Sequence, residues 1–80
     1  MATISASNII WNSPVVSGMG LDQPGGSVQG KGLDHDTAVN AMLNEASKNF
    51  PDSNYIILAT INTVGNQAFV SGIAVKMKKL

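Results

Sequence analysis

Two apolar runs on either side of Gly65-Asn66 constrain the fold of this chain most. Residues 55–64 read YIILATINTV and residues 67–77 read QAFVSGIAVKM, and both runs are rich in β-branched side chains. A glycine-first dipeptide between such runs favours a two-residue type II′ turn, which joins antiparallel strands. The sequence therefore predicts a β-hairpin in which Val64 faces Gln67.

An uninterrupted register would decide which hairpin residues share a face of the sheet. One face would carry Ile56, Leu58, Thr60, Ser71, Ile73 and Val75. The other face would carry Ile57, Ala59, Ile61, Val70, Gly72 and Ala74. Because both faces are apolar through the middle, we expect both to be covered. Gly72 also indicates close approach of another element, since a side chain is missing there between apolar neighbours.

The chain before the hairpin predicts a weak strand and a long loop. Residues 3–11 show a weak strand pattern, which Pro14 interrupts because proline cannot donate to a strand ladder. Residues 18–32 hold six of the eight glycines together with Pro24, and they show neither helical nor strand periodicity. We therefore expect residues 18–32 to form a loop, of a length that is usually functional or packed against another subunit.

Residues 37–50 predict one amphipathic helix. Its apolar residues recur with the helical period at Val39, Met42, Leu43, Ala46 and Phe50. Asp34 or Asp36 offers the N-cap, and Pro51 follows the last turn. The predicted fold is a single α+β domain over residues 1–80, with one amphipathic helix packed on an antiparallel sheet in the order β-loop-α-β-β.

Size and charge narrow the range of functions. The chain has 80 residues and no cysteine, so a disulfide framework and a cysteine-based zinc site are both excluded. Five basic and five acidic residues cancel, which argues against duplex nucleic acid as a partner. The sequence shows no membrane-spanning stretch and no signal peptide pattern, so we expect a cytoplasmic protein. Lys76, Lys78 and Lys79 are interpreted as a solubilising strand end that discourages edge pairing.

A domain this small has a limited core, and two apolar sheet faces need more cover than one helix provides. We therefore expect a homo-oligomer in which another copy buries the remaining apolar surface.

Candidate chemistry is sparse. Asp34-His35-Asp36 is the densest group of metal-capable side chains, and imidazole with carboxylates suits zinc or a similar divalent ion. Three consecutive residues rarely converge on one ion, and helix capping also explains the acidic residues. Residues 25–32, GGSVQGKG, come within one residue of a phosphate-binding loop, but Gly32 lacks the required hydroxyl. No nucleophile and base can be paired, so we do not expect an enzyme.

Three aromatic side chains, Trp11, Tyr55 and Phe69, could together form the floor of a ligand site. Core packing is the preferred interpretation of Phe69. Trp11 lies beside polar residues, which leaves a pocket or a subunit contact open for it.

Three segments resemble the small bacterial family called YbjQ, which is labelled as a heavy-metal-binding domain. Residues 69–78, FVSGIAVKMK, resemble its closing strand V-S-G-T-A-V-K, with Ile73 in place of threonine. Residues 14–18, PVVSG, resemble its V-V-x-G strand, and residues 24–27, PGGS, resemble its G-G-R-S segment. The family's helical segment is shorter here, and of its G-A-[DN]-A-V junction this chain keeps only Asn54.

The resemblance implies a β-rich α+β fold. It also implies ring-like homo-oligomers of five copies. It also suggests a relation to metals, but it supplies no defined ligand set for these positions, so Asp34, His35 and Asp36 are weak candidates from the sequence alone. We expect a homo-oligomeric binding or structural module whose ligand and cofactor are unknown. The alternatives are an accessory protein interaction module or an enzyme with a site at a subunit interface.

Overall fold

The computed structural model describes residues 4–80, which form one four-stranded mixed sheet with a helix on one face. Its elements are a 3-10 turn Ala6–Asn8, β1 Ile9–Trp11, β2 Met19–Gly32, α1 His35–Asn49, β3 Tyr55–Val64 and β4 Gln67–Lys79. The strand order is β1-β3-β4-β2, with β1 parallel to β3 and the other neighbours antiparallel. The α+β class is thus confirmed, although the sheet is mixed because of β1. Thr3, where the predicted first strand begins, lies outside the described residues.

The C-terminal hairpin forms as its turn chemistry predicts. Val64 pairs with Gln67 across the two-residue connection. Gly65 has φ 59° and Asn66 keeps a negative φ, as a type II′ turn requires and a type I′ turn does not. The Gly-Asn dipeptide therefore sets the register at this end of the hairpin.

A β-bulge in β3 breaks the uninterrupted register that the sequence suggests. Thr60 pairs with Ser71 as expected, but Ile57 pairs with Ile73, so β3 has one extra residue between these pairs. Leu58 lies in this bulge with φ 54°, in the left-handed region. Between the bulge and Tyr55, each residue of β3 therefore lies on the face opposite to the predicted one. The reason is that a shift of one residue in register moves every side chain to the other face of the sheet.

The predicted glycine-rich loop is wrong, because residues 19–32 form β2, the longest strand of the sheet. β2 pairs with β4 along its whole length, with bulges at Asp22 and Gly25 that interrupt any period-two pattern. Pro24 is tolerated because β2 is an edge strand, where one row of N–H groups needs no partner. The observed order is therefore β-β-α-β-β, instead of the expected β-loop-α-β-β.

Two glycines at the end of β2 let the helix lie close to the sheet. A Cβ atom at Gly30 would meet the backbone of α1 at Ala38 and Met42, and one at Gly32 would lie 2.5 Å from the Thr37 side chain. Gly72 in β4 has a similar role, since a Cβ there would lie 2.5 Å from Ile56 Cγ2. The prediction of close approach at Gly72 is confirmed.

The helix forms where its apolar period predicts it. Asp34 is the N-cap, and its carboxylate accepts a hydrogen bond of 2.8 Å from the Thr37 backbone N–H. Of the predicted stripe, Met42, Leu43 and Ala46 are buried, while Val39 and Phe50 are partly buried against the same core. Together with Val28, Ile56 and Val70 from the strands, they form the main core between helix and sheet.

The second face of the sheet is covered over one half. β1 and β2 lie at opposite edges, so residues 12–18 must cross the sheet, and Val16 packs there against a second cluster. Ile57, Val75 and Met77 are buried in that cluster. The expectation that another copy is needed to bury the face opposite the helix is therefore wrong for this half. A helix is not needed, because an irregular segment anchored at both edges covers it.

Candidate functional site

The three residues predicted as weak metal ligands lie at the exposed start of α1. Asp34 is the N-cap, and hydrogen bonds from Thr37 hold the pKa of its carboxyl below the usual value. His35 and Asp36 follow on the first turn, both exposed. Within residues 4–80, no group of three or more His, Cys, Asp or Glu side chains is arranged to hold a metal ion. Capping accounts for Asp34, and a metal role for the three residues stays a prediction.

The near-match to a phosphate-binding loop has a different structure. Residues 25–32 lie inside β2, extended and paired with β4, rather than in a loop that opens a helix. Their backbone N–H groups therefore cannot form the concave cradle that such a loop offers to phosphate. Close packing of α1 explains the glycines at positions 30 and 32.

The three aromatic side chains lie apart. Trp11 is at the end of β1, 42% exposed, and it lines a concavity of about 390 Å³ with Val39 and Asp36 on the helix side. Tyr55 packs against the covered second cluster. Phe69 is 38% exposed on the face opposite the helix, so the core interpretation of this residue is wrong. No common aromatic floor forms, because Trp11 and Phe69 are each partly exposed beside separate concavities.

The basic residues near the C-terminus do not mark a sheet edge. Lys76, Lys78 and Lys79 belong to β4, which lies between β3 and β2. Lys76 Nζ lies 4.0 Å from Asp22 Oδ2, the carboxylate in the first bulge of β2. The prediction of an edge-protecting cluster is therefore wrong, since β2 covers that side of β4.

The uncovered half of the second face carries an ordered polar patch. Register places two rows of three side chains side by side across β2, β4 and β3. We call these six residues the open-face patch: Lys31, Phe69 and Asn62 in one row, and Gln29, Ser71 and Thr60 in the next. They line a concavity of about 380 Å³. This volume is in the range of small-ligand sites.

The patch combines one ring, one cation and several neutral hydrogen-bonding groups. Phe69 occupies the middle of its row, between the Lys31 ammonium and the Asn62 amide. In the neighbouring row, the Thr60 and Ser71 hydroxyls lie 3.4 Å apart and within hydrogen-bonding distance of each other. Lys31 is the one titratable side chain among the described residues that line it. Such a surface can stack a flat group and attract an anion, but it has no acid-base pair.

Sequence reasoning missed the patch for two identifiable reasons. Lys31 and Gln29 were assigned to a loop, and only the β2–β4 register brings them beside Phe69. Residues 60–63, TINT, contain polar side chains, whereas the residues before Ala59 are apolar. This difference could have indicated that the face opposite the helix changes from covered to open along β3.

Asn54, which the resemblance singles out, has a structural position. Its side-chain amide donates to Met77 O at 2.9 Å and its carbonyl accepts from Met77 N at 2.8 Å. Its backbone carbonyl also accepts a 2.9 Å hydrogen bond from the Asn8 amide. Asn54 thus extends the β3–β4 ladder by one position and ties the N-terminal segment to it.

No helix among residues 4–80 has the length and apolar character needed to cross a membrane. The chain matches no model of a known protein family, no curated protein and no solved structure.

Proposed function

We propose that this chain is a small binding module that holds its ligand on the open-face patch, rather than an enzyme. The observation that carries this proposal is the exposed Phe69 at the centre of the patch. An aromatic side chain is usually buried, and here half of the sheet face around it is left uncovered. Hydrogen-bonding side chains surround the ring on three strands.

The chemistry of the patch indicates a ligand with a flat ring and an anionic group. The Phe69 face offers stacking, the Asn62 and Gln29 amides each offer donors and an acceptor, and Lys31 offers a positive charge. No carboxylate among the described lining residues would repel an anion. A nucleoside monophosphate has this combination, and the concavity is large enough for one.

Nuclear magnetic resonance titration of the ¹⁵N-labelled protein tests this proposal. The probes are adenosine monophosphate, adenosine and ribose 5-phosphate, which separate the ring from the phosphate. We expect the amide signals of Lys31, Asn62 and Phe69 to shift most with adenosine monophosphate. Loss of the response in Phe69→Ala and a weaker response in Lys31→Gln are expected.

Lys48→Gln is the matched control, because Lys48 is an exposed lysine on α1, outside the patch. An unchanged spectrum at millimolar adenosine monophosphate would contradict the proposed ligand class. Equal weakening by the Lys31 and Lys48 variants would contradict a site at the patch.

We also propose that the module works as a homo-oligomer, as its size suggests. Support comes from the distal part of β3, residues 60–64, which β1 does not reach and which carries no charge. The resemblance to YbjQ implies a ring of copies, which would be an alternative to pairing of two copies, and it implies a relation to metals, which stays a separate prediction. Sedimentation equilibrium tests self-association, and a monomer at every concentration would contradict it.

The same free edge favours a second candidate function, an accessory module that accepts a strand from a different protein. A purified chain that stays monomeric, with fast exchange of its β3 amides, would favour this candidate. An enzyme site shared between subunits has less support, because Lys31 is the sole titratable side chain among the described residues of the patch.

A further inference from the structure

The two edges of the sheet differ in how well they are protected. The β2 edge contains Pro24, two bulges and the charges of Asp22 and Lys31. All of these are devices that discourage another strand from pairing. At the other edge, β1 pairs with β3 only between Ile9 and Trp11. Residues 60–64, TINTV, continue that edge with no charge, no proline and no bulge.

The segment after β1 turns away from the edge of β3 at Asn12 and Ser13. Asn12 N donates to Ala59 O at 3.0 Å, and Leu58 N donates to Ser13 O at 2.9 Å. Asn12 then has φ 60°, and the connection turns away to cross the sheet face. Among residues 4–80, no strand therefore lies beside the backbone beyond Ala59 on this side.

Hydrogen-bonded and non-hydrogen-bonded pairs alternate along the β3–β4 ladder, and this alternation shows which backbone groups of β3 have no partner in β4. In a two-residue hairpin the closing pair, Val64 and Gln67, is hydrogen-bonded, so Asn62 and Thr60 also bond to β4. The N–H and C=O groups of Ile61 and Thr63 then point to the free edge. The outward Ala59 carbonyl, two residues earlier, follows the same alternation.

We propose that a second copy of this chain pairs with residues 60–64, edge to edge and antiparallel, about a two-fold axis at Asn62. In this register Ile61 of each copy faces Thr63 of the other, so all four free N–H groups find carbonyl partners. Other antiparallel registers leave some of them unpaired or collide with β1. The neutral segment also brings no like charges together.

This pairing would join the two open-face patches. Asn62 lies on the patch side of β3, beside Phe69, so the two Asn62 side chains would meet on the axis between the patches. Each copy would then add Asn62 to the border of its neighbour's patch. Trp11, 42% exposed at the end of β1, would lie next to the partner's hairpin turn. The proposal rests on self-association but not on the identity of the ligand.

The sharpest test is Thr63→Pro. The Thr63 N–H is not used in the β4 ladder, so proline removes a donor and adds bulk at the free edge only. Sedimentation equilibrium from micromolar to millimolar concentration should show a dimer for the wild type and at least a hundredfold weaker association for the variant. Thr63→Lys should weaken it too, whereas Asn44→Lys adds the same charge on exposed helix surface and should not.

Hydrogen exchange gives a second measurement if Thr63→Pro does not fold. The amides of Ile61 and Thr63 should exchange slowly at high concentration and quickly on dilution. A wild-type monomer throughout would overturn both self-association and this interface. An oligomer with fast-exchanging Ile61 and Thr63 amides, or one that Thr63→Pro leaves intact, would overturn the interface alone. A pentamer would do the same, because five copies cannot all pair two by two.

Discussion

At the scale of single residues, Leu58 is the least expected feature of the chain. Leucine with φ 54° is disfavoured, because the side chain comes close to the following carbonyl oxygen. The bulge nevertheless turns the Leu58 N–H toward Ser13 O, which anchors the segment that covers the second cluster. The conformational cost at one residue is therefore offset by burial of apolar surface elsewhere.

This argument predicts an unusual response to glycine. Leu58→Gly relieves the left-handed strain, but glycine loses more conformational entropy on folding than leucine does. Because the two effects oppose each other, the free energy of unfolding should change by less than about 1 kcal/mol. Leu58→Val should destabilise by about 1 to 3 kcal/mol, since a β-branched residue is least tolerated there.

Val64→Gly is the matched control, because Val64 is an exposed apolar residue of the same strand without positive φ. It should cost more than Leu58→Gly in urea denaturation. If Leu58→Gly is the more damaging of the two, the strain at Leu58 is not relieved by glycine and the interpretation fails.

Asp34 predicts a pH dependence. Its pKa is lowered because Thr37 donates hydrogen bonds to the ionised carboxylate, so the folded state binds the proton less readily than the unfolded state. The contribution is therefore fully present above the unfolded pKa, near 3.8, and is lost as pH falls through the lower folded value. Asp34→Asn keeps a capping oxygen, so its stability should fall less steeply with acid than that of the wild type.

Thermal unfolding followed from pH 6 to pH 2 in both proteins measures this effect. Asp36→Asn is the control, since Asp36 lies in the first turn but does not cap the helix. Identical slopes for wild type and Asp34→Asn would show that the capping carboxylate does not contribute to the acid response.

At the scale of elements, the parts predicted well are those whose signal is local. The hairpin follows from two β-branched runs and a Gly-Asn turn, and the helix follows from its apolar period and Asp34. β2 could not be predicted in the same way, because two bulges interrupt its period of two and because Gly30 and Gly32 are placed for contact with α1, which comes later in the sequence. The open-face patch depends on the β2 register and on the bulge at Leu58, so the sequence gives its residues without bringing them together.

The contact between β2 and α1 predicts a large effect of one methyl group. In Gly30→Ala the new Cβ would meet backbone atoms of Ala38 and Met42, so the helix as a whole must move. We expect a loss of about 1 to 3 kcal/mol in the free energy of unfolding, as for overpacked cores. Urea denaturation measures it.

Gly20→Ala is the matched control on the same strand. A Cβ atom there would lie 2.9 Å from Leu80 Cδ2, at the end of a flexible and exposed side chain that can move away. Its effect should stay within about 0.5 kcal/mol. Equal effects of the two substitutions would show that α1 adjusts to β2 more easily than the packing indicates.

At the scale of the whole molecule, the unequal protection of the two edges connects fold and function. The β2 edge is shielded by its own irregularities, and the proximal half of β3 is covered by β1. The distal half of β3 is left with free backbone groups next to the open-face patch. An arrangement that pairs this edge satisfies those groups and places two patches side by side, so assembly and ligand binding would share one surface.

This arrangement predicts that stability depends on protein concentration. A second copy that binds only the folded chain acts as a stabilising ligand, so each tenfold dilution of a dimer should lower its stability by about 1.4 kcal/mol. The melting temperature of the wild type should therefore fall on dilution from the millimolar to the micromolar range. Thr63→Pro should melt at one temperature throughout this range, because its monomer keeps the β3–β4 ladder but cannot extend it. Melting temperatures that are independent of dilution in both proteins would mean that the free edge of β3 stays unpaired between copies.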